Sequence, residues 1–138
     1  MLTDGGGIPL SITIDGANRH DVTMARKTLC NIVIERPQST DDFIQHICMD
    51  KGYDSQEIRD LVKQWGYVAH IKVRGEEVEE KQKIPGYRAR RWVTERTHSW
   101  LNRFRKILIR WEKKPENYIA FLCLACAIIT FRASGLFG

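Results

Sequence analysis

Phe43-Ile-Gln-His-Ile-Cys-Met-Asp50, Lys51-Gly-Tyr-Asp-Ser-Gln-Glu-Ile-Arg-Asp-Leu-Val-Lys-Gln-Trp-Gly66 and Tyr67-Val-Ala-His-Ile-Lys-Val73 follow one another without a gap. Phe43 to Met49 is a short apolar-rich run that ends at Asp50, and it reads as a buried strand. Lys51-Gly52-Tyr53 turns the chain. Asp54, with Glu57 three residues on, resembles a capping box and predicts a helix start. Ile58, Leu61, Val62 and Trp65 recur at helical spacing, and Gly66 suits the helix end. Tyr67 to Val73 alternates and β-branches as a strand does.

Upstream, Asp4-Gly5-Gly6-Gly7 is a turn signal, and Ile8 to Asp15 reads as a strand. A strand entering straight from a turn needs a partner before it. Leu2 and Thr3 are the residues available, so the chain is expected to open in the middle of a hairpin. Gly16 to Asp21 is a loop, with Asp21 placed as an N-cap. The helix that follows carries Val22, Ala25, Leu29, Ile32 and Val33 and stops before Pro37. Gln38 to Asp42 is a polar loop.

Downstream, Arg74 to Gly86 is a charged loop containing Pro85. Arg88 to Trp111 has no Gly and no Pro, and Val93, Trp100, Phe104, Ile107, Leu108 and Trp111 recur at helical spacing. A single long helix is predicted. Glu95 would lie about 180° from Phe104 on it, sharing its face with Arg88, Arg91, Ser99, Asn102 and Lys106. Pro115 suits the first turn of a last helix reaching Phe131. Strands alternating with helices argue for an α/β layer with a largely parallel sheet. In such sheets active groups gather beyond the carboxyl ends of strands, which is where Asp50 would stand.

The 138 residues suit one domain, spanning 1–138, with a real core. The net charge of +5 is concentrated. From Lys81 to Lys114 there are twelve Lys or Arg, opposed by Glu95 and Glu112 alone. A solvated surface helix does not need that excess, and a polyanion would use it. Cys30, Cys48, Cys123 and Cys126 sit in apolar runs, which favours reduced thiols in the cytoplasm over disulfides. Met1 to Gly7 is polar and glycine-rich, unlike a signal peptide. Tyr118 to Phe131 is a mostly apolar run of fourteen residues, where a membrane span needs about twenty. It is expected to be a buried helix, with no membrane partner.

Asp50 and Glu95 are the pair most suited to chemistry. One ends a strand and the other rides a helix, so the two can converge. Paired carboxylates bind hard divalent cations, and Mg²⁺ suits a site with few protein ligands plus substrate phosphate. The plainer alternatives are a turn aspartate at Asp50 and an ion pair from Glu95 to Arg91. Cys123-x-x-Cys126 lacks a second pair for zinc, and two packed thiols are expected there. His98, at i+3 from Glu95, could stand near one metal but fits a surface role better. No glycine-rich phosphate loop is present.

Four motifs occurring in order resemble one family. They are Gly5-Gly6-Gly7-Ile8-Pro9-Leu10, Gly16-Ala17-Asn18-Arg19-His20-Asp21, Asp50-Lys51-Gly52-Tyr53-Asp54, and Arg91-Trp92-Val93-Thr94-Glu95-Arg96-Thr97 with Trp100-Leu101-Asn102-Arg103-Phe104-Arg105. Together they are similar to the DDE transposases of bacterial insertion sequences, over nearly the whole chain.

The resemblance implies a ribonuclease-H-like mixed sheet flanked by helices, in which three acids hold Mg²⁺ (or Mn²⁺) to cut and join DNA. Asp50 would match the second acid and Glu95 the third, with Arg91 matching a basic residue of the signature around that Glu. The signature tyrosine position falls on Arg88, one residue from Tyr87, and its lysine position on Asn102. No acid here matches the first Asp, and Asp4 and Asp15 match no catalytic position. The expectation is therefore the N-terminally truncated, C-terminal portion of a transposase catalytic domain. As it stands it would be inactive, with metal expected only when the missing Asp is supplied. A non-catalytic regulator that binds DNA or transposase is the alternative. The implied partners are DNA at the element ends, with their inverted repeats, and further transposase copies, in the bacterial cytoplasm at the nucleoid. Arg88, Arg91, Arg96, Arg103, Arg105 and Lys106 would contact phosphates.

Overall fold

A computed structural model describes residues 1–16, 20–35, 37–71 and 91–136. The chain divides into two compact units, one of Met1–Ala17, Lys27–Ile34 and Arg91–Gly138, the other of Asn18–Arg26 and Glu35–Arg90. The boundary falls within helix α1 (Asp21–Cys30).

The second unit contains β3 (Gln45–Met49), a single 3-10 turn (Lys51–Tyr53), α2 (Gln56–Gln64) and β4 (Tyr67–Ile71). The two strands pair in parallel, with Gln45 opposite Tyr67 and Met49 opposite Ile71, and α2 is the crossover between them. The predicted strand–helix–strand order holds here. Ile58, Leu61 and Val62 stand at i, i+3 and i+4 and are almost wholly buried, and α2 packs on β4. Each such side chain contributes about 1.5–3 kcal/mol by leaving water. The helix is capped by Ser55, not Asp54, because the Ser55 hydroxyl accepts from the Ile58 N–H at 3.3 Å. Asp54 instead pairs with Arg59 at 2.7 Å on the surface. Gly66 ends the helix at φ +77°, a conformation that costs glycine nothing.

The β3 expectation needs correction. Phe43 and Ile44 lie before the strand and are exposed, and within it Ile47 alone is buried. Side chains alternate across a strand, so one face of the pair turns to α2. The other, carrying His46, Cys48, Val68 and His70, is largely open. Lys72 and Val73, and the predicted loop Arg74 to Gly86, lie outside the described residues.

The first unit opens with β1 (Leu2–Thr3) and β2 (Pro9–Ser11), paired antiparallel across the Asp4–Gly7 turn. The hairpin expectation holds, although the second strand ends at Ser11 rather than Asp15. Asp4 closes the turn, its Oδ1 accepting from the N–H groups of Gly6 and Ile8, each at 2.8 Å. Helix α1 begins at Asp21 and ends at Cys30. Ile32 and Val33 leave the helix, and the Val33 N–H donates to the Leu10 carbonyl at 3.2 Å. A hydrogen bond to β2 thus replaces the last helical turn that the apolar spacing suggested.

Three helices complete this unit: α3 (Arg91–Leu101), the single turn α4 (Arg105–Leu108) and α5 (Pro115–Ala133). The long uninterrupted basic helix is not formed. The Arg103 and Phe104 N–H groups bond three residues back, to Trp100 and Leu101, and Phe104 is extended (φ −88°, ψ 106°). The reason is packing. Leu101, Ala125 and Ile129 form a buried cluster, and the bend brings Trp100, Phe104 and Ile107 onto it together. With the helix broken, Asn102 and Lys106 no longer share one helical face with Glu95.

The expectation that the last helix is buried is also corrected. Pro115 occupies its first turn as predicted, but Leu122, Ala125 and Ile129 are its buried residues, a stripe on one side. Leu124 and Phe131 are more than half exposed. By length and composition alone this 19-residue helix could cross a membrane. Among the described residues the structure shows two two-stranded sheets, one antiparallel and one parallel, with helices: a mixed α/β architecture.

Candidate active site

Asp50 stands at the carboxyl end of β3, where the parallel pair delivers its chain ends. Its backbone is still extended (φ −78°, ψ 170°), and the chain then tightens into Lys51–Tyr53. The carboxylate caps that turn, Oδ1 accepting from the Gly52 N–H at 2.9 Å. A Cβ on Gly52 would lie 3.1 Å from that oxygen, so the glycine makes room for the carboxylate. Asp50 is exposed, and no described residue bonds to Oδ2. One oxygen fixes the side chain and the other is open to an incoming group.

Glu95 lies in the middle of α3. Val93, Thr97 and Leu101 bury the opposite side of the helix, so Glu95, His98 and Ser99 project outward and are exposed. No described residue makes a hydrogen bond or ion pair with Glu95. The buried side is held by the hairpin turn. Thr97 Oγ1 donates to the Gly7 carbonyl at 2.6 Å, and Thr97 is fully buried. Gly7 has φ +86°, and a Cβ there would meet Thr97 Oγ1, Arg96 Nε and the Val93 carbonyl at 3.2–3.3 Å. The glycine turn is thus a flat seat on which α3 rests, and it sets which way Glu95 points.

Arg96, a candidate phosphate ligand by sequence, is engaged within its own unit. It donates to the Gly6 carbonyl, and its guanidinium lies 4.5 Å from the Trp92 ring and 5.1 Å from the Trp100 ring. Trp92, Arg96 and Trp100 fall at i, i+4 and i+8, so the cation is held between two indoles. Sequence reading saw the charge but missed the ladder, although the spacing was there to find. Arg103, Arg105 and Lys106 are exposed in the bend and in α4, with Lys106 Nζ 4.5 Å above the Phe121 ring. Asn102 is exposed, and its N–H donates to the His98 carbonyl. Arg91 begins α3, and its side chain is outside the described residues, as are Tyr87 and Arg88.

Asp50 belongs to one compact unit and Glu95 to the other. Each presents hard oxygen donors to solvent, the donor chemistry that suits Mg²⁺ or Mn²⁺. Cys123 is exposed and Cys126 half-buried against the Leu101 cluster, so the two thiols are not both packed as expected. Burial pushes the Cys126 thiol above its ordinary range, with the neighbouring Cys123 adding to the rise.

A family model described as "Transposase DDE domain" matches residues 47–132, a span that includes both Asp50 and Glu95. A curated relative from Burkholderia cepacia, described as "Putative transposase for insertion sequence element IS402", is 33% identical over 138 residues. The match covers 94% of this chain and 60% of the relative, so the chain spans 60% of the length of that relative. No solved structure matches the chain significantly.

Proposed function

This chain belongs to the DDE transposase family, and we propose that it serves DNA transposition by metal-dependent phosphoryl transfer, with Asp50 and Glu95 as two of the metal-holding carboxylates. The observation that carries the reading is that the matched span includes Asp50, held through one oxygen by the Gly52 N–H, and Glu95, carried on a helix seated by Thr97 on Gly7, both exposed. We read the fold as the ribonuclease-H-like mixed sheet that the family resemblance implies.

When bound, a divalent ion supplies Lewis-acid stabilisation of the oxygens that gain charge in phosphoryl transfer. This chain's residues do the rest. Gly52 holds one Asp50 oxygen aside. The Gly7 seat aims α3. Arg103, Arg105 and Lys106 supply positive charge for the DNA backbone. The partner is DNA at the element ends.

A second reading, a protein that binds DNA or transposase without catalysis, is favoured by the exposed Arg103, Arg105 and Lys106, which can act without any carboxylate. Manganese binding followed by electron paramagnetic resonance separates the two. The catalytic reading expects Mn²⁺ affinity to fall at least tenfold in both Asp50→Asn and Glu95→Gln. Equal affinity in wild type and both variants would leave the DNA-binding reading in its place.

A further inference from the structure

The open face of the β3–β4 pair carries two imidazoles in direct contact. His46 Nδ1 and His70 Nε2 are 2.8 Å apart, with ring centroids 4.9 Å apart and ring planes at 42°. They come from neighbouring parallel strands, in which His46 faces Val68 and His70 faces Cys48. Alternation therefore puts both on the side away from Ile47, and His46 is exposed.

We propose that His46 and His70 form a two-imidazole site for a borderline transition-metal cation, separate from the carboxylates assigned to phosphoryl transfer. Imidazole nitrogen is the common protein ligand for nickel, copper and zinc, and carboxylate oxygen for magnesium. In the free protein one ring's N–H donates to the other ring's nitrogen. Metal binding replaces that hydrogen bond. The donor ring takes its other tautomer, and both facing nitrogens present lone pairs.

The 2.8 Å separation is that of the hydrogen bond, so binding an ion requires the rings to turn until both lone pairs converge on it. Imidazole nitrogen suits Ni²⁺, Cu²⁺ and Zn²⁺, and Ni²⁺ serves as the probe. No cluster of three or more His, Cys, Asp or Glu that could hold an ion lies among the described residues, so the described ligands of this site are His46 and His70. A bound ion would join β3 to β4 by a side-chain bridge at His46, four residues before Asp50, which follows the strand.

The site does not depend on the transposase reading. The test is calorimetric titration of the 138-residue chain with Ni²⁺ in excess Mg²⁺, which occupies hard oxygen sites. The expected result is one Ni²⁺ per chain, weakened at least tenfold by His46→Ala or His70→Ala and unchanged by His20→Ala or His98→Ala. Unaltered binding in the first two variants, or no binding by wild type, overturns the proposal. If either variant fails to fold by circular dichroism, the wild-type imidazole resonances decide. Sub-stoichiometric Ni²⁺ must broaden His46 and His70 before His20 and His98, and the reverse order overturns the site.

Discussion

Thr97 and Gly7 meet across 90 positions of sequence, the threonine hydroxyl donating to the glycine carbonyl at 2.6 Å inside a fully buried contact. The Val93 carbonyl, one turn back, is 3.1 Å from the same hydroxyl. One proton serves one carbonyl at a time, and the shorter contact is to Gly7. This bond ties the opening hairpin to the helix that carries Glu95.

Thr97→Val keeps the shape and removes the donor, leaving the Gly7 carbonyl buried and unpaired. A loss of about 1–3 kcal/mol of stability is expected in urea unfolding, with Thr97→Ser recovering most of it. Gly7→Ala should be at least as harmful, because φ +86° and three contacts at 3.2–3.3 Å oppose a Cβ. Wild-type stability in Thr97→Val would mean that the hydroxyl holds nothing.

Asp50→Asn retains an oxygen able to accept from the Gly52 N–H. Stability should stay within about 0.5 kcal/mol of wild type, while divalent-ion affinity falls. Gly52→Ala keeps the charge but presses a methyl group 3.1 Å from Oδ1, so the carboxylate must shift. Mn²⁺ titration of both variants beside their urea curves would check this. Lower stability of a still folded Asp50→Asn, with unchanged Mn²⁺ affinity, would reduce Asp50 to a turn cap.

Duplex DNA binding should be weak, non-specific and steeply salt-dependent. Replacing Arg103, Arg105 and Lys106 by Ala should flatten the plot of log K against log salt by about 0.9 per lost phosphate contact. Arg96 is left out of the set because it holds Gly6 and the two indoles, and its loss would disturb folding. Fluorescence anisotropy at several salt concentrations gives the slope. An unchanged slope would make these three charges a solvated surface.

Cys126 sets an alkaline limit on stability. Burial raises the folded thiol above its ordinary value of 9.0, so the unfolded chain loses that proton first. The folded state then holds more protons, and stability falls as pH rises from about 9 until the folded thiol also ionises. Thermal unfolding of Cys126→Ala between pH 8 and 11 should lack that component, which is absent below the unfolded value in both proteins.

Sequence by itself determined the strand–helix–strand of Gln45 to Ile71 and the opening hairpin. Each rests on local signals: period-two alternation, i, i+3, i+4 apolar spacing, and glycines where the chain must turn or stop. It also put Asp50 at a strand end and Glu95 on a helix. Only tertiary structure decided where the basic helix stops. Nothing between Arg91 and Trp111 forbids helix, and the break comes from packing Trp100, Phe104 and Ile107 together on Leu101, Ala125 and Ile129. The same holds for α5, whose apolar residues run all round while its neighbours cover one stripe, and for Arg96, whose guanidinium meets the Gly6 carbonyl and two tryptophan rings. Local propensity is written in neighbouring residues. Which face is buried, and which charge is left free, depends on segments up to 90 positions apart.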